Sequence, residues 1–137
     1  MSNIEFNPSL VGIKVVTTYL PSHSRPDDSE YTFAYTITIS NAGDVPVQLL
    51  SRHWIITDAD NEVQEVRGEG VVGEQPVIGP GESFRYTSGA TLTTPVGCME
   101  GSYFMVIREP MEVNPRDLPT FEVPIPAFSL HTPTALH

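Results

Sequence analysis

Tyr31-Thr32-Phe33-Ala34-Tyr35-Thr36-Ile37-Thr38-Ile39-Ser40 is the stretch on which the fold turns. Aromatic and β-branched apolar residues fill the odd positions, and threonine, alanine or serine fills the even ones. Successive side chains of a strand point to opposite faces, so a period of two with one apolar register predicts a strand that is buried on one side and wet on the other. Upstream, Val11, Ile13 and Val15 alternate with Gly12, Lys14 and Val16 in the same way. Downstream, residues 45–57 are apolar in both registers: Val47, Leu49 and Ile55 in one, Leu50, Trp54 and Ile56 in the other. Such a segment predicts a central strand with Trp54 in the core, near Tyr35, Ile37 and Tyr103. Asp58-Ala59-Asp60-Asn61 then reads as a turn into an exposed return strand over residues 62–67.

The remaining strands are shorter signals. Gly79-Pro80-Gly81 makes a turn before a brief run in which Phe84 and Tyr86 flank Arg85. Met99, Gly101, Tyr103, Met105 and Ile107 alternate again, and Phe121, Val123 and Ile125 close the series. Pro124 and Pro126 cannot donate to a ladder, which predicts an edge strand or a bulge there. Thirteen prolines and ten glycines cut the chain into pieces too short for a helical protein. About seven strands, without a convincing helix, predict an all-β antiparallel sandwich of immunoglobulin or fibronectin type III kind. The whole of residues 1–137 reads as one domain, with residues 1–8 and 131–137 expected to fray. The proline-rich, charged stretches 21–28 and 109–119 read as surface loops.

The chain has 137 residues, enough for one self-sufficient core. Acidic residues outnumber basic ones 17 to 7, for a net charge of −10, and Lys14 is the lone lysine. Binding to phosphate polymers or anionic lipid starts from positive charge, so neither nucleic acid nor a membrane surface is expected as partner. Cys98 is the single cysteine, which rules out an intrachain disulfide and suits a reducing compartment. The start Met1-Ser2-Asn3-Ile4-Glu5-Phe6 lacks a basic region followed by an apolar run, so no signal peptide is read, and a cytoplasmic location is expected.

One motif is loud. Gly68-Glu69-Gly70-Val71-Val72-Gly73 fits the G-x-G-x-x-G dinucleotide fingerprint. That chemistry needs a helix after the last glycine, whose N-terminus holds the pyrophosphate. Here Glu74-Gln75-Pro76 follows, and Glu69 and Glu74 bring negative charge. Gly68, Gly70 and Gly73 are therefore expected to shape an irregular loop with positive φ, leaving a weak phosphate or nucleotide site as the alternative. Asp58, Asp60 and Glu62, with Glu69 further on, have the spacing of a calcium loop but place Val63 where its glycine belongs. A solvated hairpin turn is expected. His23, His53, His131 and His137 have no metal-ligand spacing, and His53 reads as a satisfied, partly buried residue. Cys98 reads as a small buried hydrophobe at the opening of a strand. No serine stands in a nucleophile elbow and no acid/base pair is visible, so neither a catalytic residue nor a cofactor nor a metal is implied.

Several stretches together resemble the ApaG family. They are Leu49-Leu50-Ser51-Arg52-His53-Trp54-Ile55-Ile56-Thr57-Asp58, the glycine motif with Val66-Arg67 before it, and Pro80-Gly81-Glu82-Ser83-Phe84-Arg85-Tyr86-Thr87-Ser88-Gly89. Met99-Glu100-Gly101-Ser102-Tyr103 and Ile125-Pro126-Ala127-Phe128-Ser129-Leu130 complete the resemblance. It marks Arg52, Trp54, Pro80, Gly81, Tyr86, Met99, Gly101 and Tyr103 as signature positions. It implies a fibronectin type III-like fold and an association with cobalt and magnesium resistance or efflux. Genes of this family lie beside those of a diadenosine tetraphosphate hydrolase, and related domains in F-box and polymerase-interacting proteins look like interaction modules. No catalytic residue carries over. The resemblance therefore implies a non-enzymatic module acting through an unidentified protein partner, with weak homo-oligomerisation compatible. The 109–119 loop is longer and richer in proline than the family's usual turn.

Overall fold

The fold was read from a computed structural model that describes residues 6–109 and 112–134. β2 (Tyr31–Asn41) is the strand the alternation predicts: Phe33, Tyr35, Ile37 and Ile39 are buried. Its outward threonines and serines are not idle. Thr32, Thr36 and Ser40 exchange hydroxyl hydrogen bonds of 2.8–3.0 Å with Thr91, Thr87 and Ser83 of β6 (Ser83–Leu92), tying the two strands on the wet face as well. β1 (Val11–Tyr19) pairs with the other edge of β2, giving a three-stranded antiparallel sheet in the order β1-β2-β6.

The second sheet runs β4-β3-β7-β8, from β3 (Val47–Asp58), β4 (Val63–Glu69), β7 (Val96–Ile107) and β8 (Phe121–His131). The two-residue β5 (Val77–Ile78) adds to the start of β3. The described residues thus hold seven long strands and one very short one. The sheets pack face to face around the aromatic centre of the core, where Tyr35 of β2 meets Trp54 of β3 at a ring separation of 5.5 Å. Two such sheets facing each other make an antiparallel β-sandwich. The proline-led segments Pro8–Leu10, Pro21–His23, Pro26–Asp28 and Pro115–Asp117 are single 3-10 turns.

Two bulges decide which residues face the core. In β3, Leu49 stands opposite Met105 but Ser51 opposite Phe104, so one extra residue enters β3 and its side-chain parity flips. Val47 and Leu49 therefore share the inner face with Trp54 and Ile56, while Leu50 and Ile55 are only half-buried. This corrects the simple alternation, which put Leu49 with Ile55. In β8, Met99 opposes Phe128 and Gly101 opposes Ile125, again with one extra residue, at Pro126-Ala127. β8 is the edge strand, as its prolines predict. β6 runs well past the short Phe84–Tyr86 signal, through Thr87-Ser88-Gly89-Ala90.

Of the stretches 1–8 and 131–137, residues 6–8 and 131–134 are described, and they pack on the sandwich. Phe6 stacks on Phe121 at 5.2 Å, His131 ends β8, and buried Thr132 donates its N–H to the Pro95 carbonyl at 3.0 Å. Residues 1–5 and 135–137, including His137, lie outside the described residues, as do 110 and 111 in the 109–119 loop.

Candidate functional site

The β3 bulge builds a site. Beyond it, Arg52 shares the inner face with Trp54 two residues on, at the side of the sandwich where β4 and β6 are the outermost strands. The bulged Leu50 carbonyl accepts two bonds, from Gly70 N–H at 2.7 Å and from Gln75 Nε2 at 2.9 Å. Leu49 N–H donates to Pro76 O at 3.1 Å, and Gln48 Nε2 to Gln75 O at 2.9 Å. The segment following Gly68 is thereby docked onto β3. Val71 and Glu74 bond each other reciprocally at 2.8 and 2.9 Å, which closes a two-residue turn with φ of 44° at Val72 and 81° at Gly73.

The three motif glycines have structural reasons. Gly70 sits at φ 64°, and a Cβ there would lie 2.3 Å from the Glu74 carbonyl oxygen. Gly68 lies beneath the Arg52 guanidinium, which would be 2.8 Å from a Cβ. Gly73 supplies the second positive φ of the turn. The amides of Gly70, Val71 and Glu74 are spent on protein carbonyls, and no helix follows.

Arg52 is half-buried and donates from Nη1 to Gly70 O at 2.7 Å and Glu69 O at 3.1 Å. No carboxylate lies within ion-pairing distance of it among the described residues. Behind it, the Tyr86 and Tyr103 hydroxyls bond each other at 2.5 Å inside the core. Burial pushes both phenols well above the usual tyrosine range, against the pull of the Arg52 charge. Trp54 is 2% exposed, with Phe128 and Tyr103 edge-on to its ring, and its Nε1–H has no hydrogen-bond acceptor.

These side chains line a cleft. One part, of about 240 Å³, lies among Arg52, Trp54, Tyr86, Ser88 and the Val71–Gly73 turn. A second, of about 360 Å³, shares Tyr35, Arg52, Trp54 and Ser88 and continues to Gln64, Val66 and Thr91. A third, of about 130 Å³, shares Ile56, Gln64 and Thr91 and ends at Asp58, Glu62 and Thr93. Together they form one groove between β4 and β6.

The other sequence candidates are arranged otherwise. Asp58 Oδ1 accepts from the N–H groups of Asp60 and Glu62 at 2.8 and 3.0 Å, which makes it the organiser of the hairpin turn. No group of three histidine, cysteine, aspartate or glutamate side chains able to hold a metal occurs among the described residues. His53 is on the outer face, 3.5 Å from Glu65 Oε1, with its Nε2 making no hydrogen bond, so the satisfied histidine expected from the sequence is not what is found. Ser102 is its neighbour across the ladder, but the hydroxyl donates to Glu122 at 2.5 Å. His23 is exposed. Cys98 is the third residue of β7 and half-buried, and burial raises its thiol pKa.

Of the signature positions, Arg52, Trp54 and Tyr86 meet in the cleft. Tyr103, Met99 and Gly101 support it from β7, where Gly101 faces Trp54 so closely that a Cβ would lie 2.0 Å from the His53 carbonyl oxygen. Pro80 and Gly81 are elsewhere, in the turn before β6, where Gly81 N–H bonds Asn41 O at 2.8 Å. Val72 and Ser88 were missed in the sequence, because neither residue type signals a cleft.

Fold and site together define a two-sheet antiparallel β-sandwich with a mixed apolar and polar groove along one open side. The ApaG domain family model matches residues 21–107. Protein ApaG of Ralstonia nicotianae is 56% identical over 125 residues, covering 91% of this chain and 94% of that protein. Protein ApaG of Dechloromonas aromatica is 52% identical over 131 residues, covering 96% and 97%. A crystal structure of a Bordetella pertussis protein described as ApaA superposes with a TM-score of 0.82 at 47% identity, covering 91% of this chain and 95% of that one. The chain belongs to the ApaG family. No helix among the described residues is long and apolar enough to cross a membrane.

Proposed function

We propose that this chain is a non-enzymatic, cytoplasmic binding module whose protein partner docks on the β4/β6 side of the sandwich. The asymmetry of the two sides supports this reading. On one side β1 lies against β8, and the Pro8–Leu10 turn and Phe6 cover the join. On the other no comparable contact joins β4 to β6, and the groove opens between them. Edge strands are where proteins accept further chain. The effect on divalent-cation tolerance that the resemblance implies would then pass through the partner.

A photo-crosslinking residue placed at Val66 tests the reading. It should give a discrete adduct in cells, whereas the same residue at exposed Thr18 of β1 should give none. Equal labelling from both positions, or no adduct from Val66, overturns it. Against the nucleotide reading of the glycine loop stand the amides of Gly70, Val71 and Glu74, which serve protein carbonyls. Calorimetric titration with ATP and diadenosine tetraphosphate, with and without magnesium, should show millimolar binding or weaker, on the order of 4 kcal/mol or less. A micromolar signal abolished by Gly70→Ala would restore the loop as a phosphate site.

A further inference from the structure

The two sheets are unequal: three strands, β1-β2-β6, face the four long strands β4-β3-β7-β8 and the two-residue β5 beside β3. Because β1 lies against β8, the mismatch falls at the other side, where the inward residues Gln64 and Val66 of β4 are exposed for want of a strand above them. β6 ends the smaller sheet there. It is ten residues long, keeps unbroken register with β2, contains no proline and carries one charge, Arg85. Among the described residues, no backbone hydrogen bond outside the strand ladders reaches it. Edges that must stay unpaired are shortened, bulged, charged or covered. Of those protections this one has only the charge of Arg85 near its start, and residues 86–92 have none.

We propose that β6 receives an extended segment of a partner protein as the fourth strand of the smaller sheet, with a carboxylate of that segment seated on Arg52. The proposal rests on the reading of this side as a protein-binding surface. In an antiparallel ladder, alternate residues of an edge strand turn their N–H and C=O outward, so β6 offers a row of main-chain partners. A strand added there lays every second side chain over Gln64 and Val66, with Trp54 and Ile56 at the groove floor. Charge sets the ends. Arg52 is a half-buried cation with no carboxylate in ion-pairing reach among the described residues, although Glu69 lines the same pocket, and its guanidinium suits a carboxylate. Asp58 and Glu62 border the far end, without a basic residue in ion-pairing reach among the described residues. Arg52 and Asp58 are six residues apart on β3, roughly 20 Å at the rise of a strand. The fitting occupant has about six or seven residues, a carboxylate at one end and a lysine or arginine at the other, with small or apolar side chains between. A second copy of this chain suits the groove poorly, since two surfaces of the same strongly acidic protein would have to meet.

The test is selection of a random seven-residue display library on the whole chain, followed by titration of the synthesised consensus peptide. The expected consensus has an acid and a base four to six positions apart. Arg52→Gln should weaken its binding at least tenfold. Because Arg52 also holds the carbonyls of Glu69 and Gly70, Val66→Glu serves as the second variant, at an exposed position. It should weaken binding equally with an unchanged thermal midpoint. Glu62→Lys should exchange the basic preference for an acidic one, and bound peptide should slow amide exchange along β6. Peptides that bind without a carboxylate, that ignore both variants, or that leave β6 exchange unchanged overturn the fourth strand while the module reading stands. Absence of any enriched peptide together with absence of a Val66 adduct overturns both. Dimerisation through β6 at neutral pH would make the occupant a second copy and overturn the partner assignment.

Discussion

Val72 shows what a single residue can hide. A β-branched side chain at φ 44° is rare, because its Cβ substituents crowd the backbone, and such strain costs about 1–3 kcal/mol. The turn it occupies has positive φ at both central positions, where asparagine followed by glycine is preferred. Val72→Asn should therefore raise the unfolding free energy by about 1 kcal/mol, read from urea denaturation; an unchanged or lowered midpoint would refute the strain. Nothing in the sequence signals this, since valine favours strands. The buried tyrosine pair makes a second residue-scale prediction. Burial holds the neutral forms of Tyr86 and Tyr103, so their folded pKa values lie above the unfolded value near 10. A raised acid contributes stability that is complete below the unfolded pKa and is lost as pH climbs toward the folded one. Stability should fall above pH ~10 by about 1.4 kcal/mol per pH unit for each tyrosine, and Tyr86→Phe should halve that slope. A profile flat to pH 12 would contradict it.

At the scale of elements, legibility followed periodicity. β2 could be read at sight because one register is apolar and the other is not. β3 was legible as a central strand but not in its facing, because a bulge has no residue signature where both registers are apolar. Arg52 shares the face of Trp54 by plain alternation, but the cleft they enter also needs Tyr86 and Ser88 of the other sheet and the docked turn after Gly70, so the candidate site could not be assembled from the sequence. The signature residues were recognisable one by one through the family resemblance, but their meeting at a cleft depends on how the two sheets face each other. β6 was read too short, because Ser88-Gly89-Ala90 has no strand propensity of its own and is held by the ladder and hydroxyl pairs to β2. Elements that depend on one neighbour open more readily than those flanked on both sides. Amide exchange should be slowest in β2, β3 and β7, which have partners on both edges, and faster by orders of magnitude in β4 and in alternate residues of β6. Uniform protection across β6 in the free protein would mean that its edge is already covered.

For the whole molecule, the acidity and the bare edge bear on one another. A net charge of −10 disfavours nucleic acid, and it also keeps two copies of the chain apart. β6 has only Arg85 as a local charge against edge-to-edge pairing, so the global charge takes over most of that role. The protection must vanish where the charge does. As the pH falls toward the isoelectric point near 4.6, carboxylates protonate, repulsion fades, and β6 becomes free to pair with β6 of another copy. Light scattering and sedimentation should show a monomer at neutral pH and reversible self-association near pH 4.6. Salt should promote the same association at intermediate pH by screening, within a Debye length of about 8–10 Å. Thr91→Lys places a charge at an exposed position of the strand and should suppress the association although it makes the net charge less negative. Exposed Thr18 of β1 provides the control, because Thr18→Lys alters net charge by the same amount on the covered side and should leave the association intact. Equal suppression by both variants would show that net charge alone governs association and that the β6 edge has no part in it.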